Sequence, residues 1–141
     1  MYCLIKIINN CSYWLKDNDL HRGGFLPAVS YLDGSFEYWM YGFYYVHDEK
    51  NDFLFHGGLR LNKFNFNRIS KFSYKNCPAV VYRNGTKEWR FFGELHRKDA
   101  PAVIYGNGDY EYWKKGKRNG ITSYCGKQYL FSNGEFIKCI V

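Results

Sequence analysis

The stretch "HRKDAPAVIYGNGDYEYW", residues 96–113, decides the fold because the chain contains two further versions of it. A first copy, "HRGGFLPAVSYLDGSFEYW", spans residues 21–39, and a shorter one, "PAVVYRNGTKEW", spans residues 78–89. All three align without a gap on the frame P-A-V-x-Y-x-[DN]-G-x-x-E. Such repetition is typical of architectures in which one supersecondary unit packs against the next along the chain.

Each copy of the frame predicts a β-hairpin. The turn dipeptides are those that a two-residue type I′ turn demands: Asp33-Gly34, Asn84-Gly85 and Asn107-Gly108. In the third copy this turn would place Tyr105 opposite Tyr110. It would likewise place Val103 opposite Tyr112.

Alternation along the strands then divides the side chains between two faces of the predicted sheet. The face predicted to form the core carries Val29, Tyr31, Phe36, Tyr38, Val80, Tyr82, Trp89, Val103, Tyr105, Tyr110 and Tyr112. The second face is mixed in polarity and carries Ala28, Glu37, Trp39, Ala79, Glu88, Arg90, Ala102, Glu111 and Trp113. A ligand, if there is one, is expected on the mixed face.

The domain organisation follows from the spacing of the copies. Pro78 and Pro101 are 23 residues apart, whereas Pro27 and Pro78 are 51 apart, which leaves room for a degenerate unit between them. We predict a single domain over 1–141, all-β, formed as an antiparallel meander of tandem ~23-residue β-hairpin repeats in one elongated twisted sheet. The repeats are assigned to 20–45, 75–94 and 95–118, a degenerate unit or insertion to 43–77, and partial capping units to 1–19 and 119–141.

Composition supports strands and argues against several functions. The chain of 141 residues contains 14 Tyr, 12 Phe and 4 Trp, residues that favour a pleated surface. Its five cysteines include no C-x-x-C pair, which argues against a zinc site or a regular disulfide framework. No apolar run approaches the length of a membrane span. We therefore expect a soluble intracellular protein with reduced thiols.

The two ends of the chain, "MYCLIKII" and "EFIKCIV", read as apolar strands. As edges of an open sheet they would either cap it or join it to another subunit. If the two ends meet, Cys3 and Cys139 would lie close together.

The repeated unit resembles the MORN repeat, and most closely its divergent variant written roughly LHR-x-(D/G)-G-P-A-x-x-x-x-D-G-x-x-x-W-x-x-x-G. The matching residues are Leu20, His21, Arg22, Pro27, Ala28, Gly34, Trp39 and Gly42, with Leu95, His96, Arg97, Pro101, Ala102, Gly108, Trp113 and Gly116. That variant is typical of large DNA viruses and phages. The resemblance implies a non-catalytic protein-interaction or structural scaffold, a viral assembly or virion component found in the host cytoplasm or in the virion.

A catalytic reading would pair the recurring histidines, His21 and His96, with the recurring glutamates as base and orienting group. Because an active site is rarely copied into every repeat, we predict no enzyme, no cofactor, no metal and no small-molecule substrate. Instead, Arg22 and Arg97 are expected to pair with repeat glutamates across neighbouring strands. The residues predicted to be structural in the repeat are Arg22, Glu37, Glu88, Arg97, Glu111, Gly34, Gly85 and Gly108.

A protein partner or self-association is the favoured interaction. The candidate partner-binding residues are Trp39, Tyr41, Trp113, Lys114, Lys115, Lys117 and Arg118, the last five from "WKKGKR" in a hairpin-like turn. The formal charge of +7 keeps an alternative open. In that alternative a basic aromatic sheet face binds nucleic acid or an anionic surface, with bases stacked on the aromatic rings.

Overall fold

The structure is a computed structural model that describes residues 4–56, 71–73 and 76–140. Backbone contacts divide the chain into two compact units, Met1–His56 and Gly57–Val141. Every regular element in the described ranges is a β-strand, and every strand pairing there is antiparallel. The predicted all-β class and antiparallel meander are confirmed; the assignment of 1–141 to a single domain stays a prediction.

The first unit is a meander of short strands. They are β1 (Leu4–Ile8), β2 (Cys11–Lys16), β3 (Asp19–Leu20), β4 (Val29–Ser30), β5 (Phe36–Met40), β6 (Phe43–Asp48) and β7 (Phe53–Phe55). Their order in the sheet is β1-β2-β4-β5-β6-β7, and β3 pairs with one end of β2. The apolar N-terminal segment is thus an edge strand as predicted, while Cys3 lies outside the described residues.

The second unit repeats the arrangement. Its strands are β8 (Val80–Tyr82), β9 (Lys87–Glu88), β10 (Arg90–Phe91), β11 (Glu94–Leu95), β12 (Val103–Ile104), β13 (Tyr110–Lys114), β14 (Lys117–Tyr124), β15 (Lys127–Ser132) and β16 (Glu135–Cys139). The order in the sheet is β8-β9-β12-β13-β14-β15-β16, and β10 pairs with β11. The C-terminal apolar segment forms β16, whose side chains are all exposed.

The turn predicted at the frame's Asx-Gly dipeptide is wrong in type. Gly34, Gly85 and Gly108 have positive φ, but the Asx residue before each does not. In the third copy the Gly108 N–H donates to the Tyr105 carbonyl at 2.9 Å, and the Tyr105 N–H donates to Asp109 at 2.8 Å. This is a three-residue loop in which the glycine forms a G1 bulge. The Asn107 side-chain oxygen stabilises it by accepting the Asp109 N–H.

The extra loop residue shifts the register by one, so the predicted faces are also wrong. Val103 lies opposite Glu111, and Ile104 lies opposite Tyr110. Val29 and Val80 likewise lie opposite Glu37 and Glu88. A shift of one residue exchanges the faces of one strand relative to its partner. The repeat glutamates therefore share a face with the buried valines rather than with the alanines.

The centre of each hairpin is buried on both faces. Ala28, Ala79 and Ala102 have no exposed surface, and Val29, Val80 and Val103 are at most 3% exposed. Several residues predicted for the core lie at the surface instead: Tyr31, Phe36 and Tyr105. The P-A-V sequence therefore marks the core more faithfully than the aromatic residues do.

Two-residue turns with both residues at positive φ occur at the second glycine of each copy. They are Tyr41-Gly42, Phe92-Gly93 and Lys115-Gly116, and we call them the repeat tips. Their flanking residues pair directly, as Lys114 does with Lys117. The tips therefore have the type I′ geometry that was predicted one turn earlier in the frame.

Residues 71–73 lie in the segment predicted to be a degenerate unit. They make the same backbone hydrogen bonds as the Leu-His-Arg segments of the first and third copies, although their sequence differs. The Gly93 N–H donates to the Lys71 carbonyl, just as the Gly42 N–H donates to Leu20. The Ser73 N–H donates to the Arg90 backbone carbonyl, just as the backbone N–H of Arg22 donates to the Trp39 carbonyl. Residues 57–70 and 74–75 of that segment lie outside the described residues.

Candidate functional site

The recurring arginines lie on tryptophan rings. The Arg22 guanidinium carbon is 3.8 Å from the centre of a Trp14 ring, and Arg97 lies at the same distance from Trp89. Each arginine also donates to the carbonyl of the frame proline, Arg22 to Pro27 at 3.2 Å and Arg97 to Pro101 at 3.1 Å. The predicted pairing of Arg22 and Arg97 with repeat glutamates is wrong, because the planar guanidinium stacks on the indole instead.

The tryptophan of each stack pairs through its backbone with the alanine of the frame on the neighbouring strand. The backbone N–H of Trp14 donates to the Ala28 carbonyl, and the backbone N–H of Trp89 donates to the Ala102 carbonyl, each at 2.7 Å. The tryptophan is thus the cross-strand neighbour of a fully buried alanine. A larger side chain at Ala102 would have to displace the core that surrounds it.

The recurring histidines bind the repeat tips. His21 Nδ1 accepts the backbone N–H of Tyr41 at 3.0 Å, and His96 Nδ1 accepts that of Lys115 at 3.0 Å. The backbone N–H of the tip glycine donates to the carbonyl of the residue before the histidine, as Gly42 does to Leu20. Each histidine therefore acts as a hydrogen-bond acceptor for backbone, which requires an unprotonated Nδ1.

The environment of His21 favours that neutral form. The ring is 8% exposed and lies 4.4 Å from the Tyr41 ring, centre to centre. Burial, and then the nearby positive charge of Lys16, lower the pKa of His21 below its usual value.

We expect acid to destabilise the first unit through His21. Because the pKa is lower in the folded state, the unfolded chain binds the proton first as the pH falls below about 6.5, and the free energy of unfolding falls with it. His21→Asn keeps an acceptor near Nδ1 but cannot titrate. Urea unfolding at pH 7.5 and pH 5 should show a larger loss for the wild type than for the variant; parallel losses would contradict the assignment.

The recurring glutamates are acceptors for groups of their own hairpin. Each accepts from the residue two positions on: the Trp39 indole at 2.9 Å, Arg90 at 2.7 Å and the Trp113 indole at 3.0 Å. Glu37 and Glu88 also accept from the tyrosine six positions before them, Tyr31 at 3.1 Å and Tyr82 at 3.2 Å, and Tyr105 holds the same sequence position relative to Glu111. Glu111 additionally accepts from Arg118 at 2.7 Å.

The pKa values of the three corresponding tyrosine hydroxyls are all raised. The bond to Glu37 is the main cause at Tyr31. Burial comes first at Tyr82 and Tyr105, followed by the charge of the paired glutamate. The hydroxyls are therefore kept protonated as donors, and the glutamates are occupied as structural acceptors.

The candidate partner-binding residues fall into two groups. Trp39, Trp113 and Arg118 are half-buried and bonded to repeat glutamates, so their polar atoms face the protein. Tyr41, Lys114, Lys115 and Lys117 are exposed, and all four lie at or beside a repeat tip. The structure thus separates the candidates into hairpin-stabilising residues and tip residues.

The same tip position carries a different chemistry in each copy. Met40 and Tyr41 precede the glycine in the first copy, and Lys114 and Lys115 precede it in the third. In the second copy Phe91 and Phe92 are about half exposed, at 49% and 54%, with ring centres 4.6 Å apart. This phenylalanine pair was not predicted, although it stands directly before Gly93, the second glycine of its copy.

Beside the third tip lies a basic cleft of about 470 Å³. Its lining includes the three cations Arg97, Lys98 and Lys114, together with Trp113 and a single acidic residue, Asp99. Burial lowers the pKa of Arg97, yet an arginine keeps its charge in a folded protein. The cleft is therefore an anion-attracting surface with an aromatic wall.

Two further structural roles, those of the tryptophans and of Arg90 and Arg118, were not predicted, although the sequence carries a signal for the first. Trp14 and Trp89 each precede Leu-His-Arg by the same interval, with five residues between Trp and Leu. That spacing links the ring to the arginine that covers it. Arg90 and Arg118 supply the ion pairs with glutamate that had been assigned to Arg22 and Arg97.

Comparison of the chain with protein-family models, with curated proteins and with solved structures finds no match. Within the part of the chain that the structure describes, no group of three or more His, Cys, Asp or Glu side chains is placed to hold a metal ion. In that same part, there is no helix whose length and apolar character would let it cross a bilayer.

Proposed function

We propose that the chain is a non-catalytic scaffold of the MORN-like hairpin-repeat type that binds proteins through its repeat tips, and that its role lies in viral assembly or in the virion. One observation carries the proposal. The tips Tyr41-Gly42, Phe92-Gly93 and Lys115-Gly116 share one backbone geometry and differ in side chain. A constant frame with varied tips is what a module needs to present different contacts from equivalent positions.

The repeated polar residues support a structural rather than a catalytic frame. His21 and His96 are engaged with backbone N–H groups, and the glutamates with indole, tyrosine and guanidinium donors. A general base needs a lone pair directed at substrate, and these lone pairs are directed at the protein. The phenylalanine pair at 91–92 is the exposed group most like an interface anchor, since aromatic side chains dominate binding hot spots.

The basic cleft supports a second candidate function, binding of nucleic acid or another anionic surface. Trp113 offers a ring for stacking, and Lys98 and Lys114 offer exposed charge. Stacking is worth about 1–3 kcal/mol per base. This binding would weaken steeply with salt, whereas binding through Phe91 and Phe92 would not.

Affinity capture with a tip variant tests the proposal. Phe91→Thr/Phe92→Asn removes both rings, and asparagine before glycine suits the type I′ turn. Leu32→Asn is the control, because Leu32 is an exposed apolar residue, 76% accessible, in a hairpin loop outside the tips. After nuclease treatment, a defined set of proteins should be retained by the wild type and the control and lost from the tip variant.

Two outcomes would oppose the proposal. Equal retention by the tip variant would show that the phenylalanine pair is not the contact. The second outcome is that capture is lost after nuclease treatment or in modest salt, and that Lys98→Gln/Lys114→Gln abolishes it. The binding function would then belong to the basic cleft.

A further inference from the structure

A second cleft lies on the glutamate face of the second unit, apart from the repeat tips and from the basic cleft. Its volume is about 520 Å³, within the range of about 300–1,000 Å³ that small-molecule sites occupy. Glu111 and Thr122, opposite each other on β13 and β14, are 6% and 8% exposed and form the floor. Tyr105 and Tyr124 are more exposed, at 38% and 64%, and stand at the rim.

One wall of the cleft is rigid because two hairpin loops meet there. A β-carbon on Gly106 would lie 2.2 Å from the Asn84 carbonyl oxygen, so only glycine permits the observed approach. The Gly106 N–H also donates to the buried Thr86 hydroxyl at 3.4 Å. Such preorganisation lowers the entropic cost of holding a ligand.

The floor contains polar atoms that the chain itself leaves unsatisfied. Within the described residues, Arg118 Nε and Thr122 Oγ1 are the buried side-chain atoms that have no hydrogen-bond partner. Both residues line this cleft. Buried polar atoms without partners are uncommon, because nothing then compensates for removing the group from water. These two atoms have almost no accessible surface, so a ligand reaches them only when the side chains that cover them move aside; a ligand hydroxyl in that position would then supply the missing partner.

The charges of the lining favour a neutral ligand. Glu111 is paired with Arg118 at 2.7 Å. The Asp109 carboxylate accepts from the Ser123 hydroxyl and the Cys125 N–H at 3.3 Å each, and from the Asn107 amide at 3.1 Å. Arg118, the cation among these lining residues, has its charge balanced by Glu111, and both carboxylates already have donors. What the cleft offers is amide, hydroxyl and carboxylate groups beside two tyrosine rings.

We propose that this cleft binds a neutral saccharide. A sugar presents hydroxyl groups that both donate and accept, which suits a lining of mixed donors and acceptors. Its apolar C–H face suits a tyrosine ring such as Tyr105 or Tyr124. This site is independent of the protein-binding tips, so one function can fail without the other.

Titration followed by two-dimensional ¹⁵N–¹H NMR of the full chain tests the proposal, with lactose, cellobiose, maltose, mannobiose and diacetylchitobiose as probes. At least one disaccharide at about 10 mM should shift the backbone amides of Tyr105, Gly106 and Ser123. Thr122→Val and Tyr124→Ser should each weaken that binding about tenfold or more. Lys98→Gln, in the basic cleft, should leave it unchanged.

The spectrum of each variant shows directly whether it is folded, and Tyr124→Ser alters an exposed rim residue and so keeps the test valid if Thr122→Val does not fold. The proposal is overturned if none of the five sugars shifts these amides. It is equally overturned if inorganic phosphate or arginine methyl ester shifts them and the sugars do not, or if the variants bind as the wild type does.

Discussion

Trp89→Ala is expected to lower the free energy of unfolding by about 3–5 kcal/mol, the range for removal of a buried tryptophan. Trp89 is 6% exposed, and its backbone N–H bonds to Ala102. Its indole N–H donates to the Asn76 carbonyl at 3.1 Å, and its ring supports the Arg97 guanidinium. The substitution removes all the side-chain contacts together, and the arginine above the ring loses its support.

Two further variants separate the contributions to this loss. Trp89→Phe keeps an aromatic surface and loses the indole donor, and should cost about 1 kcal/mol or more. Arg97→Met keeps much of the packing and loses the cation, which should cost about 0.5–2 kcal/mol. Urea unfolding followed by circular dichroism measures all three. A loss below about 1 kcal/mol for Trp89→Ala, the size of an ordinary substitution, would contradict the packing described here.

Glu111→Ala is expected to cost about 2–4 kcal/mol, because it leaves the donors around a buried position without an acceptor. The Trp113 indole N–H and the Arg118 guanidinium both donate to this carboxylate. The Glu111 side chain is 8% exposed and that of Arg118 is 39% exposed. Solvent at the arginine keeps the loss below that for a fully buried pair.

Glu37→Ala in the first unit is the matched control. Glu37 accepts from Tyr31 and Trp39, and in the described part of the chain it has no arginine partner. Tyr44 takes the sequence position that corresponds to Arg118, two residues after the tip glycine. Glu37→Ala should therefore cost about 1–2 kcal/mol. Equal losses at the two glutamates would show that the Arg118 pair contributes nothing.

The repeat frame could be predicted from the sequence because it depends on residues with few alternatives. P-A-V and the two glycines of each copy recur in one alignment, and they correspond to the buried centre and the two turns of each hairpin. The register could not be fixed in the same way. An Asx-Gly dipeptide is compatible with a two-residue type I′ loop and with a three-residue loop that has a G1 bulge. The choice between these two loops shifts the register of a whole strand against its partner by one residue.

The arginine contacts were mispredicted for a related reason. A guanidinium has two good partners in this chain, carboxylates and indole rings, and sequence does not state which one it reaches. Arg22 and Arg97 lie in the segment that follows Trp14 and Trp89, so the ring is within reach and the glutamate is not the nearest acceptor. The saccharide cleft was also beyond prediction, because its lining comes from two loops and two strands that only the register brings together.

The histidine cap has a consequence for how such a chain can change over time. His21 and His96 hold the tip through a backbone N–H, and every residue type except proline supplies that group. The cap itself therefore places no demand on the side chain, although the positive φ of this position disfavours β-branched residues; tyrosine and lysine occupy it in the two capped tips. Substitutions among residue types that tolerate positive φ therefore leave the cap in place, so the tip can change its side chain while the hairpin keeps these hydrogen bonds.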